Sequence, residues 1–238
     1  NGTAGTVLEM DEGSQFARGH PGMHVFSALL AAAQIQPISE KEFLSAFIVG
    51  YDIAASIGIG TSLNPHMHPH GTWGGLGAAA ALANFYKLDA PKISSLLNIA
   101  SSLTLATSRK TMLEGGTVRN TYTGISNQMA HLSYQLLKSG FTGERDGIYS
   151  VFGTVVSSQF NAELACELLG ERYEVERNYF KLHACCRYNH AALDALWLLM
   201  ERHNSLENIH QIKSISVKSY VLAAELTEQR PQNVLASK

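Results

Sequence analysis

Five short stretches of the sequence concentrate side chains that could move protons or hold anions. Glu9, Asp11 and Glu12 stand within four residues of one another, and His20 follows closely. Crowded carboxylates raise one another's pKa, which can separate an acid from a base. A solvated acidic helix start is the plainer alternative. His66, His68 and His70 alternate around Pro65 and Pro69. In an extended segment they would share a face, an arrangement that invites zinc. Yet the spacing is not His-Glu-x-x-His, and no cysteine pair stands at ligand spacing. Loop histidines or proton carriers fit better, and no metal is expected.

Gly71-Thr72-Trp73-Gly74-Gly75-Leu76-Gly77 precedes a helix, so a phosphate cradle must be weighed. No Lys-Ser/Thr follows it and the glycines do not match a dinucleotide fingerprint. Close helix packing explains it better, although a carboxylate could still use the amides of that helix start. Arg119 lies in a Gly-containing loop and is a natural fork for a carboxylate, or else a surface arginine. Finally, Phe180 to His190 is dense in polar groups and holds Cys185-Cys186. Nothing in it marks a depressed thiol pKa, so buried structural cysteines are expected.

The elements that would carry these groups are mostly helical. An apolar, Ala-rich helix is predicted over 22–34, following Pro21. Ser39 and Glu42 form a capping box that opens a second helix, which carries Phe43, Phe47, Ile48, Tyr51 and Ala55 at helical spacing and ends at Gly58 and Gly60. The spacing predicts a loop over 61–72 and helices over 74–86, 90–107, 122–138, 159–168 and 189–203. Residues 108–121 read as loop and 171–188 as irregular or extended. Ile215, Val217, Ser219 and Val221 alternate with polar residues, the period of a strand. The fold class is mainly α, with a helical domain over 1–206 and the opening of a small α/β module over 207–238.

Hydrophobic residues make up 45% and charged residues 16%, which supports a packed core. The net charge of -2 and the lack of a basic stripe argue against nucleic acid. No apolar run looks long enough for a membrane span and no signal peptide is visible. Three cysteines, two of them adjacent, make a poor disulfide framework and suggest a reducing, cytoplasmic setting. The opening residues read as mid-protein sequence.

The order of the blocks is more specific than any one block. Leu8-Glu9-Met10-Asp11-Glu12, His20-Pro21-Gly22, Ala28 to Ala33, Gly50-Tyr51-Asp52, His68 to Ala81, Gly140 to Gly147 and Cys185 to Ala195 follow one another. This series resembles the MmgE/PrpD family over essentially the whole chain. The resemblance implies an all-α large domain, a smaller α/β domain, usually a homodimer, and neither metal nor organic cofactor. It also implies small polycarboxylate substrates, and a substrate-facing tyrosine beyond the last residue.

Carried across, the family's acidic motif, commonly D-x-D-D, falls on Glu9, Asp11 and Glu12, with Glu in place of its first and last Asp. The family's histidines fall on His20, His68 and His190, and a Lys found in many members falls on Arg119. Arg cannot release its proton, so carboxylate binding would be kept there and proton donation lost. The resemblance implies His68 as the main acid/base group, His20 as partner donor, and Asp11, with Glu9 beside it, as the group that orients a histidine. Arg119, His190 and Tyr122 would bind substrate. The expected activity is a lyase that removes a proton next to a carboxylate, as in 2-methylcitrate dehydration. An epimerase of an amino- or imino-dicarboxylate and a catalytically idle scaffold are the alternatives.

Overall fold

The protein, seen as a computed structural model, is described over residues 1–203 and 210–227. The chain enters through α1 (Gly2–Val7) and β1 (Glu12–Ser14), then forms α2 (Pro21–Ile35) and α3 (Glu40–Gly60). Pro21 suits the first turn of α2, where its missing N–H is no loss. Ser39 and Glu42 make both bonds of the capping box that starts α3. β2 (Thr61–Leu63) leads into the histidine loop, and α4 (Trp73–Phe85), α5 (Ala90–Ser102) and α6 (Arg109–Leu113) follow. A 3-10 turn over Thr117–Thr121 runs into α7 (Tyr122–Lys138). Then come α8 (Gly147–Ser150), β3 (Ser157–Phe160), α9 (Ala162–Cys166), β4 (Asn178–Phe180), α10 (His190–His203) and α11 (Val221–Thr227).

The middle of the fold is α4. It is apolar all round and buried almost throughout, as a helix with no polar face must be. It packs on α2, α3, α5 and α7. The approach to α3 is very close. A Cβ at Gly77 would lie 2.4 Å from the Cβ of Ala54 and 2.5 Å from the Gly50 carbonyl. The small residues that looked like a possible phosphate loop thus serve backbone approach, and a Cβ at Gly74 would strike the His24 ring.

One stretch of α3 has a mean hydropathy of 1.6, so by length and composition this helix could cross a membrane. This differs from the expectation that no apolar run is long enough for a span. In the fold α3 behaves as a core helix: Tyr51, Ala54 and Ala55 are buried, and Asp52 accepts a 2.9 Å hydrogen bond from the Glu174 amide.

Two antiparallel strand pairs tie distant loops to this bundle. β1 pairs with β4, Gly13 opposite Tyr179, and β2 pairs with β3, Thr61 opposite Phe160. The second pair corrects the helix expected over 159–168: residues 157–160 are strand, and the helix starts only after Asn161, whose side chain caps Leu164 N–H. α8 and the π-turn Val151–Val155 were not anticipated. α5 stops at Ser102 instead of 107, because Thr107 and Ser108 are taken up against the histidine loop. The 108–121 loop contains α6 and the 3-10 turn. Residues 212–220 form no strand; Ile215 and Val217 are exposed, and no partner strand lies among the described residues. Alternation alone cannot make a strand without a neighbour to bond. The expected boundary at 206/207 falls outside the described residues.

Candidate active site

Each element end contributes one polar group to a common place. Glu9 follows α1 with a backbone φ of 52°, a left-handed conformation that turns its side chain inward after the helix. The β1–β4 pairing then brings Lys181, just past β4, against the acidic motif. Lys181 Nζ donates to Glu9 Oε2 at 2.6 Å and to Asp11 Oδ1 at 2.9 Å. Arg119, from the 3-10 turn before α7, forms an ion pair with the other oxygen of Glu9. All four side chains are buried, so two carboxylates and two cations compensate one another out of water.

The histidines are fixed mainly through backbone groups. His20 stands at the N-cap of α2, and its Nδ1 donates to the Glu12 carbonyl while lying 3.1 Å from Asp11 Oδ2. His68 is clamped by Thr107: its amide donates to the Thr107 carbonyl at 2.9 Å, and Thr107 Oγ1 donates to its carbonyl at 2.6 Å. His68 Nδ1 accepts from the His70 amide at 3.1 Å. His24 uses both nitrogens, donating from Nδ1 to the His20 carbonyl at 2.8 Å and accepting the Gly71 amide on Nε2 at 3.2 Å. His70 sits between them, its ring 4.9 Å from that of His20 and 4.7 Å from that of His68, with a buried Nδ1 that has no partner.

Burial and charge set the protonation states. Burial pushes Glu9 up, but Arg119 and Lys181 outweigh it and hold the carboxylate below its usual range. Burial, with Asp11 adding to it, raises Glu12 to about 8 even though it accepts the Gly22 amide at the start of α2. Burial also lowers His20, with Asp11 offsetting part of the effect. Burial and then the Arg119 charge push His68 well down, and burial and the neighbouring histidines do the same to His70. Burial lowers His24 to about 4. Burial would neutralise Lys181, but its two carboxylates hold it cationic. The crowding of carboxylates expected from the sequence is therefore relieved at Glu9 and felt at Glu12.

These groups border a cleft of about 710 Å³. Its wall holds Arg18, Arg109, Arg119, Arg187 and Lys181 against the single carboxylate Glu9, besides His20, His68 and His70. Such a lining attracts anions. Asp11, His20 and His70 could each turn a ligand atom toward a shared metal. With Lys181 already on Asp11, that trio is a poor cation site, because a divalent ion would have to stand beside the lysine charge or displace it from its carboxylates.

Of the residues singled out from sequence, Glu9, Asp11, His20, His68 and Arg119 come together here. Tyr122 is buried beside them, its ring 5.9 Å from that of His68, but it does not line the cleft. His190 does not line it either. Its ring lies 5.0 Å from that of His183, and burial lowers its pKa despite a bond to the Cys185 backbone. The cysteines are free and not buried; Cys166 is exposed and the adjacent pair half-buried, with burial raising the Cys185 thiol. Lys181 is the main group that sequence reasoning passed over. Three carboxylates with no local cation were the signal that a distant one was required.

Residues 1–163 match the MmgE/PrpD N-terminal domain. A cis-aconitate decarboxylase-like protein, oryM, of Aspergillus oryzae is 24% identical over 248 aligned residues, which cover 91% of this chain and 49% of that protein. The chain therefore spans about half the length of this curated relative. That match covers more than half of the sequence, so the chain belongs to the MmgE/PrpD family.

Proposed function

We propose that the protein is a lyase that takes a small polycarboxylate, removes a proton from the carbon next to a carboxylate and expels a leaving group from the neighbouring carbon. In the dehydration case the C–H electrons form the new C=C bond, and hydroxide departs as water after protonation. The observation that carries this reading is Arg119. Glu9 and Asn120 occupy its Nη1, while its buried Nε has no partner and the residue lines the cationic cleft. A guanidinium on the cleft wall, anchored to Glu9 and Asn120 through one nitrogen, suits a substrate carboxylate, which gains negative charge as the proton leaves. Arg18 and Arg187 suit further carboxylates.

The name of the Aspergillus oryzae relative favours a second reading, decarboxylation of a tricarboxylate. Here CO2 leaves, its bond electrons stay on carbon, and a proton is delivered to that carbon. The same cleft would serve both.

The test is a turnover screen with EDTA present, using 2-methylcitrate, citrate, cis-aconitate and amino-dicarboxylates, followed by NMR in deuterated water. Loss of water or CO2 from a tricarboxylate supports the lyase. Deuterium exchange without net elimination on an amino-dicarboxylate would replace it with an epimerase. No turnover and no binding of any of them would remove the enzyme reading.

A further inference from the structure

We infer that His20 and His68 are held in opposite tautomers, so that His20 is the proton acceptor of the site and His68 a neutral hydrogen-bond donor. The inference deepens the lyase reading, and it reverses the roles expected from the sequence, where His68 was the main acid/base group.

The assignment follows from what each ring nitrogen meets. Around His20 Nδ1 there are only acceptors: the Glu12 carbonyl and, at 3.1 Å, Asp11 Oδ2. A nitrogen so placed must carry the hydrogen, which leaves the lone pair on Nε2 of a ring lining the cleft. When Nε2 takes a proton, the new positive charge is met at once by Asp11. His68 is the converse. The His70 amide points its hydrogen at Nδ1 from 3.1 Å, so that nitrogen must keep its lone pair, and the hydrogen of the neutral ring sits on Nε2. A second proton on His68 would face that amide and, nearby, the Arg119 charge, and burial and Arg119 already press this ring toward neutrality. A neutral imidazole is too weak an acid to give its proton away, but it can donate a hydrogen bond to an oxyanion as charge develops there. His24 sets the boundary of the machinery. Both its nitrogens are spent on the backbone at His20 and Gly71, so it positions the two loops and has nothing left for a substrate.

The experiment labels histidine with 15N and records ring-nitrogen spectra near neutral pH, with assignments from His20→Asn and His68→Gln. The expected pattern is Nδ1 protonated in His20 and Nε2 protonated in His68. The same tautomer in both rings, or the reverse pair, overturns the inference whether or not a substrate is known. The catalytic half is read on whichever tricarboxylate is turned over. His68→Gln, whose amide can replace an Nε2 hydrogen, should keep turnover within roughly tenfold, while His68→Ala should lose roughly a hundredfold or more. His20→Gln should abolish exchange of the substrate's α-hydrogen. Equal loss in His68→Gln and His68→Ala, or retained exchange in His20→Gln, overturns the roles. The expected spectra with no turnover of any tricarboxylate would instead count against the lyase reading and against His20 as its base.

Discussion

Asp11 shares its carboxylate between two partners of different kinds: Oδ1 receives Lys181 Nζ at 2.9 Å, and Oδ2 lies 3.1 Å from His20 Nδ1. The lysine fixes the carboxylate, and the carboxylate faces the imidazole.

Asp11→Asn should therefore reduce kcat/KM roughly tenfold, the effect of about one pKa unit of lost charge stabilisation of the His20 imidazolium, whose Nδ1 lies 3.1 Å from Oδ2. The loss stays moderate because the Glu12 carbonyl still holds the Nδ1 hydrogen and hence the tautomer. Burial lowers the His20 pKa and Asp11 raises it, so the acid limb of the pH profile should move to lower pH in the variant. An acid limb that does not move would separate Asp11 from His20.

Lys181→Met should destabilise the fold by about 3–5 kcal/mol, since it leaves two buried carboxylates with one cation between them. Urea unfolding of wild type and variant measures it directly. An unchanged midpoint would mean that water or another cation replaces the lysine. Removing Glu9 at the same time should recover part of the loss, because the uncompensated charge goes with it.

The acid and alkaline sides of the stability profile should have different owners. Glu12 has its folded pKa raised to about 8 from 4.5, so its contribution is complete below 4.5 and is lost as pH rises through about 8. His24, lowered to about 4 from 6.5, and the strongly lowered His68 and His70 contribute above 6.5 and lose that contribution as pH falls. In Glu12→Gln the alkaline loss should disappear, with the Gly22 amide still satisfied by the side-chain carbonyl. In His24→Gln the acid loss should become shallower. Urea midpoints across this pH range would show both, and parallel curves for Glu12→Gln and wild type would refute the first.

Gly77→Ala tests the helical frame. The added methyl meets Ala54 Cβ and the Gly50 carbonyl, so α3 and α4 must separate, at a cost of about 1–3 kcal/mol. Thermal melting should show the loss. Turnover at low temperature should fall too, since α4 follows directly from the His68 loop.

The helical frame was legible because its signals are local. The capping box at Ser39, the proline at the head of α2 and the unbroken small apolar run of α4 each declare themselves within a few residues. The same locality explains the failures. Residues 157–160 become strand only because Thr61 and its neighbours bond to them, and α5 ends early only because Thr107 is needed by His68. The half of the site on the acidic motif, the two histidine loops and Arg119 was readable as a series of blocks. Lys181 was not, since nothing near it in the chain mentions Glu9. The roles proposed for His20 and His68 were also out of reach, because they rest on which backbone group faces which ring nitrogen.

The bond from Lys181 to Glu9 joins residues 172 positions apart, by way of two three-residue strands. Contacts of such long loop closure are slow to form, whereas helices and their neighbours assemble early. A refolding chain should regain its helical signal first and its capacity to hold an anion afterwards, in a separate and slower phase. Under the proposed function, activity would report on the last step of folding, and a nascent chain with a finished helical bundle would still be inert.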